Sequence, residues 1–384
     1  MKKVIVTDVK YRMTLSPIWE LSNKGFGVTA LEYADSPVNQ RLGFFSKHVT
    51  EKAVAEDISF CECIEQISQG DRPVLIPGNR RSLMHVIRNR ERIAACCDFL
   101  VPDEEALAWA DDKQLMHGIA KEIGVPVPST TSLSEHESVE ALADCVRFPC
   151  IIKYRNGEAL GKKPADRYAV VHNRDEFIDA YTRMHAVDEN PIASDYIAGN
   201  DIGVAVVMSK SHEPLCVICY ESLREYPIQG GPTCFLRTIY SQKLVDYSVS
   251  LLKRIHFTGI AMLDFKGTPD NPYFLEINPR LWGSAAITYL SKCGFFEAYV
   301  RGATDETASS GSLSAPSYDL GVKMRFTPQA VACFAAHMLH SPRKLTTLWQ
   351  SVKSVLDPFV RDGLFTIRDP MPYLKYIQNL IRRR

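Results

Sequence analysis

The chain has 384 residues, 46% of them hydrophobic and 23% charged, with 45 Lys+Arg against 45 Asp+Glu. That length suits two or three globular units, and the balanced charge excludes the electrostatic footprint of a nucleic-acid binder. The longest apolar candidate for a membrane span, Ala330 to Leu339, is interrupted by His337 and is too short to cross a bilayer.

Met1-Lys2-Lys3 before Val4-Ile5-Val6 looks like the start of a secretion signal, but Thr7, Asp8 and Lys10 interrupt it at once. A first β-strand over residues 2–7 is therefore expected. A helix over 16–24, stopped at Gly25 and Gly27, and a strand from Val28 to Leu31 complete a β-α-β opening, which predicts a parallel sheet. Further strands are expected at Val74-Leu75-Ile76, before the turn Pro77-Gly78-Asn79, and at Cys96 to Val101. No G-x-G-x-x-G follows the first strand, which argues against a dinucleotide site. Asp111 and Asp112 then read as N-cap residues of a helix with Leu115, Met116, Ile119, Ala120 and Ile123 on one face, ending at Gly124.

After Val125-Pro126-Val127-Pro128 come a strand over 148–153 ending in Lys153, a polar loop from Asn156 to Arg167 holding Gly157 and Gly161, and a strand Tyr168–Val171. A helix near 174–186 precedes a short strand, Ala193 to Ile197. Strands at 202–209 and 214–221, a helix at 243–256 and a hairpin at 259–278 follow, and the last 70 residues read as helical. The 11 cysteines, odd in number and scattered, predict free thiols in a reducing, cytoplasmic setting. Cys216 and Cys219 form a C-x-x-C with no second C-x-x-C to match it, so the pair reads as part of a buried strand rather than a zinc or redox site.

The hairpin carries the chemistry. Gly259 to Phe265, a turn at Gly267 to Pro272, and Tyr273 to Arg280 would bring Asp264 close to Glu276. Strand alternation puts Glu276 and Asn278 on one side, with Arg280 beyond them on the same side. Two carboxylates and an amide oxygen suit a hard cation such as magnesium, and Arg280 could meet a transferring phosphoryl group. Lys113 and Lys153 can hold phosphate as point charges, and Gly157 and Gly161, with Lys162, Lys163 and Arg167, form a loop that an anion could approach. Ser194-Asp195-Tyr196-Ile197 could present backbone groups to an adenine edge, and Asp201 could accept from a ribose hydroxyl.

Lys113, Lys153, the Asp195 to Asp201 segment, Asp264 and Glu276-Ile277-Asn278-Pro279-Arg280 stand in the order found in ATP-grasp enzymes. With Arg224-Glu225-Tyr226-Pro227, Gly230-Gly231-Pro232-Thr233, Arg237 and Leu281-Trp282-Gly283-Ser284, the chain resembles the carboxylate–amine ligase group of that superfamily. The resemblance implies an α/β (α+β) chain: a Rossmann-like pre-ATP-grasp domain over 1–103, then a two-lobed ATP-grasp region over 104–310. The small lobe would span about 126–195 and the large lobe about 196–310, with a mostly helical extension at 311–384.

It also implies ATP with Mg2+, for which Mn2+ could substitute, and small-molecule carboxylate and amine substrates. Lys113 and Lys153 would contact phosphates, Asp195, Tyr196 and Ile197 would hold adenine, and Asp201 ribose. Asp264, Glu276 and Asn278 would bind the metal, with Arg280 and Arg237 catalytic. Asp264 and Asp195 stand where many members have Glu. No nucleic-acid partner is expected, and a homodimer is. The alternatives are an acyl kinase and a non-catalytic nucleotide sensor, with a Rossmann oxidoreductase disfavoured by the missing glycines. Glu221 and Glu225 are candidate bases by position alone, and Asp8, Tyr11, Arg12 and Pro77-Gly78-Asn79 are candidate substrate contacts from the first domain. The basic, amphipathic C-terminal stretch from Asp369 is expected to pack on its own domain rather than on a membrane.

Overall fold

A parallel four-stranded sheet begins the chain: β1 (Lys3–Val6), β2 (Gly27–Tyr33), β3 (Glu51–Ala55) and β4 (Val74–Ile76), in the order β3-β2-β1-β4. The computed structural model describes residues 2–154, 160, 166–226, 233–305, 313–340, 357 and 359–382. Every residue of β2 is buried, as expected when helices cover both faces of a parallel sheet. Strand β3 escaped the sequence reading because Glu51-Lys52-Ala53-Val54-Ala55 is an exposed, charged edge without an apolar run. The expected strand at 96–101 is reduced to a single bridge between Val74 and Asp98. Nearby, the Leu100 N–H donates to the Tyr299 hydroxyl (3.0 Å), so it is not left for a sheet ladder.

The helix Lys113–Glu122 links this unit to the next, and Asp112 caps it by accepting from the N–H groups of Gln114 (3.0 Å) and Leu115 (2.9 Å). Asp111 instead ends the preceding helix, Glu104–Asp111. A second sheet follows: β5 (Thr130–Ser132), β6 (Cys150–Lys153), β7 (Tyr168–Val171) and β8 (Ile192–Asp195), antiparallel in the order β5-β8-β6-β7. Helices Val139–Cys145 and Arg174–His185 pack on it through Leu142, Phe177 and Tyr181, which are buried against Ile152 and Ala193.

The third sheet has seven strands. These are β9 (Asn200–Met208), β10 (Pro214–Glu225), β11 (Thr233–Ile239), β12 (Gly259–Gly267), β13 (Pro272–Asn278), β14 (Lys323–Arg325) and β15 (Val360–Asp362). Their order is β13-β12-β9-β10-β11-β14-β15, antiparallel except for the last pair. The tail beyond residue 310, read as helical, thus also gives two strands to this sheet. They are three residues each, too short to show a period in sequence. Cys216 and Cys219 sit on opposite faces of β10, one in each core of the sheet, so they cannot act as a pair. The C-terminal helix Met371–Arg382 packs near Asn39, whose carbonyl accepts from Asn379 (2.8 Å). Among the described residues no helix is long and apolar enough to cross a membrane.

One core fuses the first sheet to the third, through Trp19, Trp282, Phe295 and Phe296. Glu20 lies in this seam, 6% exposed, accepting from the N–H groups of Phe296 (2.8 Å) and Glu297 (3.0 Å). Its other oxygen has no hydrogen-bond partner among the described residues, and burial pushes its pKa up to about 7. A carboxyl whose pKa is higher folded than unfolded makes stability fall as pH rises, here between about 4.5 and 7. Glu20→Gln, which is never charged, is therefore expected to be more stable than the parent at pH 8 by about 2 kcal/mol. The two should converge near pH 4, as urea unfolding at both pH values would show.

Candidate active site

The hairpin β12–β13 sets the geometry. Its register pairs Asp264 directly with Glu276, and Met262 with Asn278. On its other side β12 pairs Asp264 with Gly203, and β9 pairs Gly203 with Tyr220. Glu276, Asp264, Gly203 and Tyr220 therefore form one row across one face of the sheet. Gly203 is required there: an added Cβ would fall 2.2 Å from the Tyr220 ring, which lies over the glycine.

Asn278 Nδ2 donates to Asp264 (2.8 Å) and Glu276 (3.4 Å), so the expected trio is together. The register slips after Asp264, and Leu275 is left out of the pairing. The Leu275 carbonyl accepts instead from His117 Nε2 (2.9 Å) on the helix Lys113–Glu122. That docking holds the first residue of the helix, Lys113, in an ion pair with Glu276. Burial, then the charges of Glu276 and Asp201, push the Asp264 pKa well above the usual carboxylate range, with Lys113 and Arg280 acting against them.

Asp201 faces Lys266 across β9 and β12, with a 2.7 Å ion pair. Burial opposes its ionisation, yet a hydrogen bond from Glu225 and the charges of Lys266 and Lys153 hold its pKa below the usual range. Glu225 keeps the proton, its pKa raised to about 8 by burial and by the Asp201 carboxylate. Lys153 ends β6 opposite this group. Desolvation in the cleft, then repulsion from Lys113, lower its pKa.

A cleft of about 750 Å³ is bordered by Lys113, Lys153, Asp201, Asp264 and Glu276. A second cavity of about 780 Å³ shares Lys153 and Asp201 and continues to Asp195, Tyr196, Ile197, Glu225 and Lys266. Asp195 exchanges hydrogen bonds with Ser129, donating its N–H to the carbonyl (3.0 Å) and accepting from the N–H (3.1 Å). Gly199 then turns the chain into β9 at φ +122, pressed so close to Gly267 that a Cβ would meet its carbonyl at 2.3 Å.

Two arginines are placed differently from the sequence reading. Arg280 was expected to continue the alternation, but the strand ends at Asn278 and the Arg280 N–H turns back to the Asn278 carbonyl (2.9 Å). Arg280 borders the seam with the first domain beside Pro77, Leu83 and Tyr299, although Asp264 still feels its charge. Arg237 pairs in register with Glu221, which pairs with Ile202, so it belongs to the opposite face from Asp264. There it forms an ion pair with Glu221, and Asn200 donates to the same carboxylate (3.2 Å). The loop residues Gly157, Gly161, Lys162 and Lys163, and the run Pro227 to Pro232, lie outside the described residues.

Sequence reasoning missed Lys266, Tyr220 and His117 as site residues. Lys266 follows Asp264 by two and was legible by alternation, and Gly203 inside an apolar strand marked a close approach. The bulge that engages His117 left no local signature.

Among the described residues no group of three or more His, Cys, Asp and Glu side chains forms a metal cluster. The donor set is two carboxylates and an amide, which fits magnesium that shares its coordination with phosphate oxygens. The Asp264 pKa is raised by burial first and by the Glu276 and Asp201 charges second, and a bound cation would act against both. Asn278 would turn its amide to present oxygen, and Lys113 would yield Glu276.

Residues 110–284 match the family model of the ATP-grasp domain. The chain is similar to a biotin carboxylase from Campylobacter jejuni, solved with an ATP analogue (TM-score 0.59, 17% identity, 84% of this chain and 74% of that one). It is also similar to N5-carboxyaminoimidazole ribonucleotide synthetase from Thermus thermophilus (0.56, 16%, 82% and 81%) and to an L-amino acid ligase from Bacillus licheniformis (0.51, 13%, 79% and 74%).

Because Asp264 is destabilised where it stands, Asp264→Asn is expected to raise the stability of the metal-free protein by about 1 kcal/mol at pH 8. Thermal unfolding in EDTA tests this, and a lower midpoint would contradict it.

Proposed function

We propose that this chain, which carries an ATP-grasp domain across residues 110–284, is an ATP- and magnesium-dependent ligase that joins a carboxylate to an amine. The observation that carries the reading is the convergence of Asp264, Glu276 and Asn278 with Lys113 and Lys153 on one cleft. A carboxylate cannot be attacked by an amine at neutral pH without expelling oxide. In the proposed reaction a substrate carboxylate oxygen attacks the γ-phosphorus of ATP. That phosphorus–oxygen bond to ADP breaks, ADP leaves with the electron pair, and an acyl phosphate forms. The amine nitrogen then attacks the acyl carbon, phosphate leaves, and the nitrogen releases a proton to solvent.

The chain's part is position and charge. Lys113 and Lys153 hold the phosphates, with Lys113 moving from Glu276 to a phosphate oxygen. The second cavity takes the nucleoside, with Asp195, Tyr196 and Ile197 at the adenine and Asp201 at the ribose. Asp264, Glu276 and Asn278 would hold magnesium, which would supply positive charge against the phosphates. Arg280 lies in the seam with its charge felt at Asp264 and would have to turn toward the cleft to meet the acyl-phosphate step, whereas Arg237 remains engaged by Glu221.

ADP and phosphate release from Mg-ATP, measured against carboxylic acids crossed with amino acids and amino sugars, tests the reading. Release that needs both partners and disappears in Glu276→Gln supports it. Acid-dependent ADP release without any amine requirement would identify an acyl kinase, and ATP binding with no turnover a nucleotide sensor. Arg280→Ala is expected to lower turnover on the order of 100-fold, about 3 kcal/mol of transition-state stabilisation, while sparing ATP affinity. Equal loss of both would contradict the role given to Arg280.

A further inference from the structure

The cleft has an end that the reaction above does not use. Arg12, from the first domain, borders it together with Tyr220, Trp282, Gly283 and Ser284. The Arg12 guanidinium lies 3.6 Å from the centre of the Phe326 ring, which fixes its plane, and the Tyr376 hydroxyl gives it a polar neighbour. Among the described residues it forms no ion pair with any carboxylate. Gly283 lies beside it: an added Cβ would stand 3.4 Å from Nη2, at ordinary contact distance. Beside it the Trp282 indole N–H is buried, with the residue only 2% exposed; the Tyr220 hydroxyl is its polar neighbour, but among the described residues no well-formed hydrogen bond holds it. A buried donor without an acceptor is costly, and a ligand oxygen would relieve that cost.

We propose that Arg12 and Trp282 form a carboxylate-binding subsite for the amine substrate, which makes that substrate an amino acid. The inference rests on the ligase reading, since the reacting carboxylate belongs at the Lys113 and Asp264 end of the cleft. Tyr220 connects the two ends: its hydroxyl feels both the Asp264 charge and the Trp282 N–H. A planar guanidinium and one further N–H match the two oxygens of a carboxylate. Arg12 is thus a specificity-determining residue contributed by a domain that does no chemistry, and it couples substrate capture to the seam between the domains.

Direct binding separates this inference from the ligase reading. Each of the common L- and D-amino acids, and each matching amino-acid amide, is titrated calorimetrically into the full chain saturated with Mg-ADP. At least one free amino acid should bind, and its amide should bind on the order of 30-fold more weakly, as for loss of one partner of a buried charge pair. Arg12→Gln should weaken the free acid by a similar factor, leave the amide unchanged and leave ADP affinity unchanged. Trp282→Phe, which keeps the packing and removes only the N–H, should weaken the acid about 5-fold. That pattern supports the subsite even if no acid and amine pair gives turnover, in which case only the ligase reading fails. Equal binding of acids and amides, binding confined to dicarboxylic acids without an amine, or no binding by any amino acid would overturn the proposal.

Discussion

Two carboxylates face each other across neighbouring strands, and much of the site follows from that constraint. Like charges directly opposite in a sheet repel, and in a half-buried cleft the repulsion is felt more strongly than in water. Asp264 and Glu276 tolerate it because Asn278 donates to both and Lys113 caps Glu276. Lys113 reaches that position only because the bulge at Leu275 engages His117 one turn further along the helix. Register, bulge, helix docking and charge compensation are thus links in one arrangement. Its clustered oxygen donors give the cleft its fitness for a cation.

The same sheet sorts its polar groups by face. The row Glu276, Asp264, Gly203 and Tyr220 looks toward the first domain, while Glu221 and Arg237 form a closed pair on the other side. Further along, Asp201, Glu225 and Lys266 share charge and proton so that Asp201 stays ionised beside Lys153. Each part of the cleft therefore has its own electrostatic character: acid and lysine in the middle, a proton-sharing pair beside Lys153, and at the far end a guanidinium that forms no ion pair among the described residues.

Much of this was legible in the sequence because strand alternation and short turns are local. Gly267 to Pro272 closes the hairpin as the residues suggested, and Asp264, Glu276 and Asn278 meet on one face. The parallel opening sheet, the capping by Asp112 and the buried thiols on β10 follow from similarly local signals. What failed depended on distant partners or on breaks in periodicity. Arg280 left the expected face because Pro279 ends the strand and the chain turns at once. Arg237 was counted into the site on resemblance, whereas cross-strand register assigns it to Glu221. Strands β14 and β15 are too short to be read alone, and the bridge at Asp98 replaces a strand whose neighbouring Leu100 donor is taken by Tyr299.

The central claim is that the opposed carboxylates hold magnesium on the phosphates of ATP. The most direct test is equilibrium binding of ATP, with magnesium and in EDTA, to the parent and to Glu276→Gln. The account predicts that magnesium tightens ATP binding to the parent by about 10-fold or more and has little effect on the variant. ATP binding that ignores magnesium in the parent, or an equal magnesium effect in both proteins, would contradict it.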